Sequence, residues 1–175
     1  MTQQKTNKMK SKRVVYINGE FVAERDAKIS IFDSALMFGD MVFEMTRSFN
    51  KEQFKLREHL ERLYMSIRLL HIPINMTIDE MEKACLETIA ENERAFEDHD
   101  EHRLMINVSR GPLGLYAPVF DGKLEPTVVI ADFPLKWTVA AMAHLYDTGI
   151  NAVIPSQRAI PASLMDPKIK NRSRL

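Results

Sequence analysis

The chain has 175 residues, 45% of them apolar and 27% charged, which is enough for one sizeable core or two small ones. Lys plus Arg and Asp plus Glu number 24 each, so the net charge is zero and the basic excess of a nucleic-acid binder is missing. Cys85 is the only cysteine, which excludes a disulfide framework and a cysteine-rich zinc site and points to a reducing, cytoplasmic setting; no apolar run approaches the roughly 18 residues of a membrane span.

Residues 1–13 (MTQQKTNKMKSKR) are polar and basic without an apolar stretch, and are predicted to be a disordered tail. Val14 to Ile17, the pair Asn18-Gly19, and Glu20 to Val22 predict a β-hairpin, because Asn-Gly supplies the positive φ angles of a two-residue turn. Ala27 to Ile31 suggests another short strand, Asp33 to Gly39 a loop or short helix, and Met41 to Phe49 a strand that turns back at Asn50 into Gln53 to Leu56. Glu58 to His71 predicts a helix with Leu60, Leu63, Ile67 and Leu70 on one buried face, stopped before Pro73. Thr77 and Glu80 form a capping-box pattern ahead of a helix carrying Met81, Cys85 and Ile89 on one side. Leu104 to Ser109 and Thr127 to Ala131 read as strands, joined by a loop rich in turn formers through Tyr116. Phe133 to Trp137 looks like an interdomain linker, Ile150 to Ile154 like a further strand, and Pro155 to Lys170 is irregular. Strands and helices mix without regular βαβ alternation, so the expected class is α+β.

Three stretches form an ordered set: Phe38 to Glu44 (FGDMVFE), Phe54 to Ser66 (FKLREHLERLYMS), and Ile169-Lys170-Asn171. Together with the hairpin they resemble the class IV (fold type IV) aminotransferases, which use pyridoxal 5'-phosphate, across nearly everything from Tyr16 to Leu175. The resemblance implies a small α+β domain over residues 14–133, a linker at 134–137, and the incomplete start of a larger cofactor-binding domain over 138–175. It also implies a homodimer, and amino acid and 2-oxo acid substrates. The activity implied is transamination of a branched-chain amino acid, a D-amino acid or a related amine through a Schiff base on Lys170. Aminodeoxychorismate lyase-type elimination and a non-catalytic truncated dimerisation module are the alternatives.

The resemblance places the Schiff-base lysine at Lys170, with Lys168 as a rival two residues away. The chemistry needs an amine able to become neutral, and a cofactor that withdraws electrons from the substrate α-carbon. Arg62 falls where the family binds the cofactor phosphate, a role that suits a planar, two-pronged guanidinium. Phe38 and Phe43 match aromatic positions of the substrate pocket, and Arg110 a position that helps shape it. On composition alone these would be a solvated lysine, a polar-face arginine and core aromatics. Glu44 receives no catalytic role, Arg158 has no spacing argument of its own, and the five histidines show no metal-ligand spacing. Leu175 stands where branched-chain enzymes carry a tyrosine five residues after the lysine. The carboxylate that pairs with the cofactor's ring nitrogen is expected some tens of residues beyond Lys170. The 175 residues therefore read as an incomplete enzyme.

Overall fold

The structure, a computed structural model, describes residues 13–172. The predicted tail, but for Arg13, and Leu175 lie outside the described residues. The Asn-Gly turn forms as its residues require: Asn18 and Gly19 take φ angles of 48° and 97° and close β1 (Val14–Ile17) onto β2 (Glu20–Ala23). Four more strands follow, β3 (Met41–Phe49), β4 (Glu52–Gln53), β5 (His102–Ser109) and β6 (Thr127–Pro134). They assemble into one antiparallel sheet in the order β2-β1-β6-β5-β3-β4.

The two faces of the sheet differ because side chains alternate along a strand. Val42, Glu44, Thr46 and Ser48 of β3 are buried on one face, as are Leu104, Ile106 and Val108 of β5 and Val128, Ile130 and Asp132 of β6. Two helices cover that face, α2 (Leu56–Leu69) and α3 (Ile78–Glu93). Leu60, Leu63 and Ile67 of α2 and Met81, Ala84 and Cys85 of α3 complete the core, with Leu70 and Ile89 partly buried against it. A buried leucine of this kind contributes on the order of 2 kcal/mol through apolar area removed from water. The capping box at α3 is present: Glu80 N–H donates to Thr77 Oγ1 (3.2 Å) and Thr77 N–H donates to Glu80 Oε2 (2.7 Å). The Tyr64 hydroxyl of α2 reaches the carbonyl of Met76 (2.7 Å), which fixes where the second helix begins relative to the first.

Phe43, Met45, Met105, Asn107 and Val129 occupy the alternate register on the other face and are only partly buried. The remaining helices are α1 (Ser34–Phe38), capped by the Asp33 side chain, α4 (Leu135–Thr148), and two 3-10 turns at Glu24–Asp26 and Gly114–Phe120, the second within the predicted loop. Among the described residues, no helix is long and apolar enough to cross a membrane.

Three expected elements differ. Residues 27–31 are irregular, with Ile29 and Ile31 exposed, and no strand of the sheet pairs with them. The run 150–154 is also irregular; Val153 and Ile154 are almost wholly exposed, and β-branched composition without a ladder partner does not make a strand. The stretch read as a linker is instead the end of β6 and the first turn of α4. Leu135, Val139, Met142 and Tyr146 of that helix recur at helical spacing, a period that the linker reading of 133–137 cuts across. The turn-back after β3 pairs only at Glu52 and Gln53, and Leu56 already opens α2.

Candidate active site

The segment that carries the lysine is held along β3. Phe43 N–H donates to the Lys170 carbonyl (3.0 Å), and Val42 forms an antiparallel bridge with Asn171. β4 leaves room for this, because it pairs only with Ser48 and Phe49 at the far end of β3. Ile169 is buried with the core and Asn171 is 7% exposed, so strand-like alternation turns Lys170 and Arg172 the other way. Lys170 Nζ comes to rest 4.5 Å from the centre of the Phe43 ring.

Arg62 sits on α2 beside this edge and is fixed by one carboxylate. Its Nε and Nη2 donate to the two oxygens of Glu44, the Nη2 bond at 2.8 Å. Glu44 is completely buried, while about half of the Arg62 side chain is exposed. His59, three residues earlier on the same helix, brings Nδ1 within 2.8 Å of the same carboxylate. Burial acts to raise the Glu44 carboxyl, but the hydrogen bonds from Arg62 and His59 outweigh it and hold the group below the ordinary carboxylate range. Glu44 raises Arg62 further above its already high value, against some desolvation, so the guanidinium stays charged. This two-point pairing leaves Nη1 of Arg62 without a partner among the described residues. Arg62 then lines a cleft of about 400 Å3 together with Met65, Pro167, Lys168 and Lys170. Three of the five lining residues are cations and none is acidic, a setting for an anion.

The structure thus brings Lys170, Phe43 and Arg62 to one edge of the sheet. Two other expected pocket residues stand apart from that group. Phe38, the last residue of α1, is 63% exposed, and no aromatic contact among the described residues joins it to Phe43. Arg110 is committed elsewhere: Nε donates to Asp40 (2.6 Å), and its Nη1 and Nη2 donate to the His71 and Leu70 carbonyls (2.7 Å each), which cap the end of α2. Lys168 lies in the same cleft, Tyr116 packs on Phe32, and Arg158 is exposed.

Two residues were passed over by sequence reasoning. Glu44 had a signal: strand alternation puts it on the same face as Val42 and Thr46, and a carboxylate on a buried face requires a cation. Arg172 had none beyond its place two residues after Lys170. A second buried polar cluster lies at the start of β5, about 17 Å along the strand from Asn107. There His102 is fully buried, with Asp132 2.8 Å from Nδ1, Glu93 2.7 Å from Nε2, and Phe96 stacked on the ring at 4.4 Å. Burial acts to lower the imidazole, but its two carboxylate partners prevail and raise it.

Lys170 and Arg62, the two residues singled out by the resemblance, thus line one cleft at an edge of the antiparallel sheet. The family model for class IV amino-transferases covers residues 41–175, and the chain belongs to that family. It is similar to a putative branched-chain-amino-acid aminotransferase of Methanocaldococcus jannaschii, at 37% identity over 90% of this chain and 50% of that protein. It is also similar to the D-alanine aminotransferase of Staphylococcus epidermidis, at 38% identity over 76% of this chain and 42% of that one. Among solved structures, the branched-chain aminotransferase of Thermoproteus uzoniensis, determined with norvaline, superposes with a TM-score of 0.68 at 27% identity, over 91% of this chain and 51% of that one. The chain spans about half the length of the curated relatives it matches.

Proposed function

We propose that this chain forms the lysine-bearing part of a pyridoxal-phosphate-dependent aminotransferase that moves an amino group between an amino acid and a 2-oxo acid. Residues 14–133 act as the small domain and 138–175 as the start of the larger one. The observation that carries the reading is the convergence on one cleft of Lys170 with Arg62, whose guanidinium is pre-set by the buried Glu44 carboxylate.

The donor set fits the cofactor. A phosphorylated aldehyde calls for an amine and for cations with free donors, and the cleft offers Lys170, Arg62 and Lys168. Lys170 would hold the cofactor through Nζ and Arg62 would hold its phosphate. When bound, the cofactor supplies an electron sink for the charge that develops at the substrate α-carbon. The residues of this chain do the rest. Lys170 moves the proton from the substrate α-carbon, as a general base whose amine is kept at the site by the bond between its carbonyl and Phe43 N–H. Phe43 gives an apolar floor beneath that amine. Glu44 spends its hydrogen bonds on Arg62 and His59 and so keeps the phosphate donors oriented before any ligand arrives.

Family membership and the relatives support transamination, with branched-chain and D-amino acids as the donor classes. A homodimer is the proposed assembly, for which exposed Leu36, Phe38 and Leu115 supply apolar surface. The test is amino transfer by the protein expressed from its own coding sequence, using L-leucine, L-valine or D-alanine with 2-oxoglutarate. The expected result is formation of a new 2-oxo acid that stops in Lys170→Ala. Release of pyruvate from aminodeoxychorismate without amino transfer would reassign the protein as a lyase. Absence of both reactions, with no uptake of cofactor, would leave a non-catalytic module.

A further inference from the structure

Arg13, Arg25, Arg57, Arg62, Arg94 and Arg110 each pair with a carboxylate of the chain. Arg172 forms no ion pair among the described residues. Yet its guanidinium is held in place. The plane carbon lies 4.2 Å from the centre of the Phe43 ring, and Nη2 donates to Asn107 Oδ1 at 3.1 Å and approaches Met105 Sδ at 3.2 Å. Asn107 and Phe43 are opposite one another on β5 and β3, so two neighbouring strands fix this one side chain.

Lys170 Nζ uses the same ring, at 4.5 Å. The alternation that buries Ile169 and Asn171 puts Lys170 and Arg172 on the same side. An amine that acts on a substrate α-carbon and a guanidinium whose Nε and Nη1 have no partner among the described residues therefore share one aromatic floor. In an amino or 2-oxo acid the carboxylate is one bond from the carbon that reacts. A guanidinium matches a carboxylate with two parallel hydrogen bonds.

We propose that Arg172 is a carboxylate-binding residue of this site and selects substrates that carry a carboxylate over amines that lack one. The inference rests on the aminotransferase reading for its reaction, but not for its binding measurement.

The reaction arm uses the protein expressed from its own coding sequence, loaded with cofactor. The first half-reaction is followed alone by the absorbance of the bound cofactor, with L-glutamate, L-alanine and 1-phenylethylamine as donors. Arg172→Gln should weaken the two amino acids by about ten- to a hundredfold, leave the maximal rate within a few-fold, and leave the amine unchanged. Arg172→Lys should recover part of the loss. A loss confined to glutamate assigns the contact to the distal carboxylate, and an equal loss for both amino acids to the α-carboxylate; either supports the proposal. Equal effects on amino acids and amine, or weaker uptake of the cofactor itself, would overturn it. The binding arm needs no turnover. Maleate, an unreactive dicarboxylate, is titrated into 15N-labelled protein, and the Arg172 Nε–H resonance is followed. A saturable shift that disappears in Arg172→Gln is expected. A resonance that does not move overturns the proposal, whether or not the protein transaminates.

Discussion

Phe43 and Glu44 are adjacent on β3 and face opposite ways. Glu44 lies wholly buried under α2, where Arg62 and His59 use up its oxygens. Phe43 lies on the open face, where Lys170 and Arg172 rest against its ring. The covered face holds its charges in closed sets of protein partners, Glu44 with Arg62 and His59, and His102 with Asp132 and Glu93, except that Asp132 Oδ1 has no hydrogen-bond partner among the described residues. Cations on the open face are in contact with rings, sulfur and amide oxygen rather than with carboxylates. On one face the charges meet opposite charges of the protein, while the cations of the other meet none among the described residues. Arg62 links the two, since its carboxylate partner is buried and the residue itself lines the cleft.

Substitutions on the two faces should therefore fail in different ways. The largest effect is expected for Lys170→Ala. Turnover should fall by about 10²–10⁴ from loss of proton transfer alone, while unfolding free energy changes by less than about 0.5 kcal/mol, because the side chain is only partly buried. Steady-state rates and urea denaturation measure the two quantities, and a large loss of stability would show that the lysine is structural. Arg62→Ala should lower stability as well as cofactor uptake. It leaves a buried carboxylate with His59 as its only side-chain partner among the described residues and should cost about 3 kcal/mol of stability. The double variant Glu44→Gln with Arg62→Ala should be more stable than the sum of the single losses. Additive losses would mean that the pair does not interact.

The closed sets also set limits on stability at both ends of the pH range. Glu44 is held below its ordinary value, so its contribution is present above the normal carboxylate range and is lost as pH falls through the lowered value. His102 is held above its ordinary value. Its contribution is complete below about pH 6.5 and is lost as pH rises through the raised value. Each limb can be no steeper than about 1.4 kcal/mol per pH unit for one proton. Denaturation across pH should show the acid limb flattened in Glu44→Gln and the alkaline limb flattened in His102→Asn. The smallest effect belongs to the capping box: Thr77→Ala should cost about 1 kcal/mol and leave catalysis unaltered.

The parts of the fold that sequence made legible are those in which local chemistry and burial agree. Asn18-Gly19 demanded a hairpin, Thr77 and Glu80 demanded a helix start, and the spacing of Leu60, Leu63 and Ile67 demanded a buried helix face; all three are present. Local pattern failed where partners decide the outcome. Ile150 to Ile154 has strand composition but no strand beside it among the described residues, and Leu135 to Thr148 is a helix whose first turn reads as a linker. The candidate site divides in the same way. Lys170 and Arg62 were reached through the resemblance, since neither stands out by composition. Glu44 was open to inference from the period of two along β3. Arg172 was not, because its meaning comes from sharing the Phe43 ring with Lys170 across 129 positions of chain separation from residue 43 to residue 172.

The most direct test of the account is to find which side chain takes the cofactor. The protein is incubated with pyridoxal phosphate, reduced with borohydride, digested, and mapped by mass spectrometry. A single pyridoxyl adduct on Lys170 is expected, reduced in yield in Arg62→Ala at limiting cofactor. An adduct on Lys168, or a scatter over surface lysines that Arg62→Ala leaves unchanged, would contradict it.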